Sequence, residues 1–154
     1  MQTDIDPIDR RILAHLQNDA DVGVEQLGES VGLSRNATWR RVRMLEERGI
    51  IRKRVALLAA EALGLGLTVF VQIRTANHDA RWLEKFAAAM RGMDEILGAY
   101  RMTGDLDYLI HVRVGTVRDY DRFYQRLIDR VPLSDVSASF VMEEIKETTA
   151  LPVL

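Results

Sequence analysis

Apolar positions fall into two rhythms along this chain. Up to about residue 48 they recur every three or four residues, the period of an amphipathic helix; beyond Leu67, stretches of period two alternate with helical ones. Ile5, Ile8, Ile12, Leu13 and Leu16 form the first helical stripe. Asp6 supplies an N-cap, Pro7 suits the first helical position, and Asp9 adds negative charge to the first turn. Asn18-Asp19 and Asp21-Val22-Gly23 end that helix. Val24, Leu27 and Val31 mark a second helix. A third starts from Ser34 as N-cap, runs to about Arg48 and closes at Gly49. Thr38, Val42 and Leu45 share its apolar face; Asn36, Arg40, Arg43 and Glu47 lie opposite. Gly28 provides the small residue that two steeply crossing helices need, and Gly32 permits the sharp turn between them. This is the pattern of a helix-turn-helix. Gly49 to Val55 then reads as a short basic extended piece, a wing or hinge.

The second half predicts a different architecture. Ala59 to Gly66 reads as one helical turn and a glycine break. Strands are expected at Leu67–Arg74, Ile96–Met102, Tyr108–Val114 and Val136–Ile145, with helices at Asp79–Arg91 and Val117–Val131 and a turn over Thr103–Asp107. The order β-α-β-β-α-β is that of a ferredoxin-like split βαβ, so the fold class is α+β: an N-terminal winged helix-turn-helix (1–54), a linker (55–66) and a second domain (67–154). A sheet with helices on one face and apolar residues on both predicts a homodimer, and a helix-turn-helix uses the same two-fold symmetry on DNA.

Charge narrows the function. The whole chain carries −2, yet Ser34 to Arg54 carries +6 over 21 residues. A one-signed patch on the helix that would face phosphate points to double-stranded DNA. Arg40, Arg43 and Asn36 are the expected base contacts, because arginine bonds guanine bidentately and asparagine does so with adenine. Ser34 and Arg35 are expected to fix the backbone register. Thr38, Arg41 and Lys53 complete the expected DNA-contact set. Trp39 is read as packing against the neighbouring helix.

Other chemistry is sparse. There are no cysteines, which excludes disulfides and thiolate metal sites. His15, His78 and His111 lack metal-ligand spacing, and no catalytic constellation or phosphate-cradling loop emerges. Asp105, Asp107 and His111 are the residues an enzyme would have to use. No cofactor, metal or membrane partner is expected, and no apolar run approaches a membrane span or secretory leader. The expected setting is cytoplasmic, in association with the nucleoid.

Four segments carry a resemblance: Ile8–Leu13, Val42–Ile51, Gly104–Leu109 and Val141–Lys146. In order and spacing they resemble the Lrp/AsnC family of transcription regulators. That resemblance implies an N-terminal DNA-binding domain and a C-terminal amino-acid-sensing domain, with dimers assembling into octamers or other higher oligomers. It places the effector near the glycine-aspartate loop, at Met102, Thr103, Gly104, Asp105, Leu106, Asp107 and Tyr108. Ser137 to Val141 is the facing wall, with Ser137 and Ser139 supplying hydroxyls. Val55–Leu58, Leu63–Thr68, Leu97–Met102, Tyr120–Tyr124 and Thr148–Pro152 are similar to the branch that responds to cysteine and controls its detoxification. This favours an activator modulated by cysteine. A leucine- or other amino-acid-responsive global regulator and an architectural DNA-wrapping protein without effector are the alternatives. The chain departs from the family in lacking the usual proline within Ser34–Thr38 and a glycine after Pro132.

Overall fold

The computed structural model describes residues 5–75 and 79–153. His78 lies outside them. The chain forms two units, Met1–Leu57 with Lys146–Leu154, and Leu58–Ile145.

In the first unit, α1 (Pro7–Asn18), α2 (Val24–Val31) and α3 (Arg35–Glu47) pack around Ile12, Leu13, Leu27, Val31, Val42 and Leu45. The expected caps form. The Asp6 carboxylate accepts the Asp9 N–H at 2.8 Å, and the Ser34 hydroxyl accepts that of Ala37 at 3.3 Å. Gly32 takes φ +75°, a left-handed conformation that a side chain would strain. A Cβ at Gly28 would stand 2.8 Å from both the Leu33 carbonyl oxygen and the Thr38 hydroxyl, so nothing larger than hydrogen fits where α2 meets α3.

Residues 52–59, the basic piece after α3, are exposed and lie in neither helix nor strand. Arg54 folds back onto Glu46 at 2.9 Å. One expectation changes at the tail, expected to continue the domain 67–154. The Gln17 side chain donates to the Leu151 carbonyl at 3.0 Å and accepts the Leu151 N–H at 2.6 Å. Arg10 donates to the Val153 carbonyl at 3.0 Å, and Val153 packs against the helical core. Residues 146–154 therefore group with the N-terminal unit.

In the second unit a four-stranded antiparallel sheet has the order β2-β3-β1-β4, from β1 (Leu67–Arg74), β2 (Ile96–Arg101), β3 (Tyr108–Val114) and β4 (Asp135–Phe140). That is the ferredoxin-like arrangement the element order predicts. Helices α4 (Ala80–Arg91) and α5 (Val117–Arg130) follow β1 and β3. Val69, Val71, Ile73, Ile110 and Val112 alternate onto the buried face, meeting Trp82, Phe86, Phe123 and Leu127 from the helices. The opposite face carries Phe70, Gln72, Leu109 and His111. The last strand ends at Phe140 rather than Ile145 because its partner runs out: Phe140 pairs with Val69, and β1 begins only two residues earlier. Beyond that point Met142 and Ile145 lie exposed.

Candidate DNA-binding face and effector loop

Helix α3 presents its polar face to solvent. Arg35, Asn36, Arg40 and Arg43 are exposed along it, as are Ser34 at its start and Lys53 beyond its end. Arg43 bonds Glu47 one turn on, at 3.2 Å. Two residues expected to touch DNA are otherwise engaged. Thr38 is wholly buried and donates its hydroxyl to the Ser34 carbonyl at 3.0 Å. It sits against Gly28, where a longer contact-making side chain has no room. Arg41, on the flank, reaches Asp6 at 2.5 Å and Asp9 at 2.8 Å. Asp9 is 3% exposed, so this guanidinium neutralises a buried carboxylate rather than facing outward.

Trp39 differs in the other direction. Its ring does not pack under a neighbouring helix; it is 53% exposed, with the Arg43 guanidinium 5.7 Å from the ring centre, within cation–π range. With Val24, Arg35 and Asn36 it lines a shallow hollow at the start of the helix. The signal lay in the spacing: Asn36, Arg40 and Arg43 flank Trp39 on the outward arc, and bulk alone suggested burial.

The Met102–Asp107 segment joins β2 to β3, with Gly104 at φ +98°. It is tied down by backbone groups. Met102 N–H donates to the Asp107 carbonyl at 2.9 Å, Asp107 N–H to the Ile73 carbonyl at 3.0 Å, and Arg74 Nε to the Asp105 carbonyl at 2.9 Å. The Asp107 carboxylate accepts the Thr75 N–H at 2.7 Å, which gives it a structural task at the end of β1. Met102, Thr103, Gly104 and Asp105 are exposed, Leu106 and Asp107 half-buried, and Tyr108 buried. Ser137 and Ser139 are exposed on β4, opposite Gln72 and Phe70, on the sheet face away from the helices. Within one chain they share that face with His111 and not with the loop. His111 stacks on Phe70 at 5.0 Å.

Comparison with known proteins joins the two halves. A model of winged helix-turn-helix DNA-binding domains matches residues 5–52, and one of the Lrp/AsnC ligand binding domain matches residues 68–151. The chain belongs to the Lrp/AsnC family. It is 47% identical over 148 residues to the glutamate uptake regulatory protein of Zymomonas mobilis, covering 96% of this chain and 90% of that one. It is also 47% identical over 150 residues to the DNA-binding transcriptional activator DecR of Escherichia coli, covering 97% and 99%. Among solved structures, a transcriptional regulator from Neisseria meningitidis in complex with L-methionine superposes with a TM-score of 0.90 at 35% identity, covering 97% of each chain.

This Lrp/AsnC chain is thus a DNA-binding transcription regulator with an amino-acid ligand domain, and it is not an enzyme. The matched ligand-binding segment spans all four strands and continues to residue 151, into the tail that packs on α1. Electrostatics on the helix-turn-helix give it a defined acid response. The Asp9 N–H, and next the Arg41 guanidinium, hold the Asp6 carboxyl below its ordinary 3.8. A depressed folded value means the stabilisation is complete above pH 3.8 and is lost as pH falls through the lower, folded value. Melting temperature between pH 5 and pH 2 should fall less steeply in Asp6→Asn, since asparagine keeps the cap and removes the charge. Identical slopes for the two proteins would refute this.

Proposed function

We propose that the protein is a ligand-gated regulator that binds a pseudo-palindromic DNA site as a homodimer and responds to a small amino acid, cysteine first. The exposed Asn36–Arg40–Arg43 face of α3 carries this reading: three side chains able to bond base edges lie on one outward arc of a helix that starts from a capped turn. Ser34, Arg35 and Lys53 serve the phosphates. The half-uncovered sheet supports the dimer, and higher assembly to octamers follows the family resemblance. The same resemblance seats the effector near Met102–Tyr108, with Ser137 and Ser139 brought to it from a neighbouring copy. Cysteine is favoured over leucine by the similarity to the cysteine-responsive branch and by the two wall hydroxyls. Activation of transcription follows from that branch, and the setting is cytoplasmic, in association with the nucleoid.

A ligand shifts DNA affinity only through unequal affinity for two states of the protein. The test is therefore a gel-shift titration on a duplex selected from a random pool, with cysteine, leucine, methionine and glutamate added separately. Cysteine is expected to move the midpoint at the lowest concentration. No enriched duplex would refute the regulator reading; a midpoint moved only by another of the four would replace cysteine; and a midpoint moved by none would leave an architectural DNA binder.

A further inference from the structure

Along the outward arc of α3 the exposed positions Asn36, Trp39, Arg40 and Arg43 follow the spacing i, i+3, i+4, i+7, which is one face of a helix. Trp39 therefore stands inside the stripe whose other three members are able to bond base edges. A helix laid in the major groove with those three toward the bases carries the indole there with them. The ring also has support. The Arg43 guanidinium lies 5.7 Å from its centre, and that arginine is tied at Nε to Glu47 at 3.2 Å. The ring borders a hollow of about 240 Å³, which it lines together with Val24, Arg35 and Asn36.

An apolar surface turned toward the bases has one matching group. The base edges in the major groove offer hydrogen-bond donors and acceptors, and only thymine adds an apolar group, its C5 methyl. Asn36, Arg40 and Arg43 suit the polar edges. The indole face and the Val24 side chain carry no polar atom with which to do so.

We propose that Trp39 is a specificity-determining residue: the hollow it shares with Val24 receives the C5 methyl of a thymine in each half-site. The inference rests on α3 as the reading helix and adds a contact that its polar side chains leave out. Four residues of helix advance about 6 Å, about two base-pair steps of roughly 3.4 Å. The thymine accordingly lies within two base pairs of the guanine that Arg43 bonds.

Gel shifts with the full chain on the selected duplex test this. Each thymine is replaced in turn by deoxyuridine, which removes the methyl group and keeps the base pairing. One replacement should weaken parent binding about fourfold in one half-site and about fifteenfold in both, the worth of one and two buried methyl groups. Trp39→Ala should bind the thymine and deoxyuridine duplexes equally. Trp39→Phe, which keeps an apolar ring, should still prefer thymine at least twofold. Both variants should melt close to the parent, because the position is exposed. A parent indifferent to every replacement, or a selected half-site without thymine, overturns the proposal. So does a preference for thymine that survives in Trp39→Ala. Equal weakening on both duplexes would then make the ring only a prop for Arg43, and a smaller sedimenting particle would make it a contact between copies. Arg40→Ala combined with Arg43→Ala that binds the selected duplex like the parent overturns α3 as the reading helix, and this inference with it.

Discussion

Replacing Arg40 and Arg43 together by alanine is expected to abolish specific DNA binding while leaving the fold intact. Both side chains are exposed, and neither neutralises a buried group. Each arginine that bonds a guanine edge contributes about 1–3 kcal/mol, so the pair contributes roughly 2–6 kcal/mol, at least about thirtyfold in affinity. The gel shift on the selected duplex should weaken by that factor. Binding to unrelated duplex should weaken much less, because Arg35, Arg52 and Lys53 remain to face phosphate. The melting temperature should stay within about two degrees, as expected for exposed sites. Unchanged affinity would remove α3 as the reading helix.

One residue along, Arg41→Ala should give the same loss of binding for the opposite reason. Its guanidinium bridges Asp6 and the buried Asp9. Removing one partner of such a pair leaves a carboxylate in the interior without its counter-charge, a loss of roughly 2–4 kcal/mol. Thermal unfolding should move down by several degrees, and DNA binding should return on cooling or with a stabilising osmolyte. Asp9→Ala combined with Arg41→Ala should be more stable than Arg41→Ala alone, since no orphaned charge remains. A single variant that melts like the parent would show that the ion pair does not hold the helices together.

The contrast between these neighbours shows what a sequence displays and what it conceals. Local terms were legible. The Asp6 and Ser34 caps and the alternation through Tyr108–Val114 each depend on residues within a turn or a strand of one another, and the Gly28 contact reaches only to Leu33 and Thr38 across the turn. The +6 patch was legible as a whole, but not the allotment of its members. Arg41 is drawn inward by Asp6 and Asp9, more than thirty positions earlier, and no periodicity relates them. Thr38 sat on the apolar face in the helical pattern, and its burial follows from that face. Trp39 was misread because apolar bulk usually marks the core, whereas at this position the helix turns outward. The end of β4 depended on where its partner strand starts.

The return of residues 146–153 to α1 has a consequence for the order of synthesis. A ribosome completes all three DNA-binding helices before it begins the sheet, and domains generally fold as they emerge. Yet Gln17 and Arg10 find their backbone partners at Leu151 and Val153 only after the entire ligand-binding unit has been made. A nascent or truncated chain therefore carries a headpiece without its last contacts. The fully braced DNA-binding half exists only in molecules that already possess the sensing half.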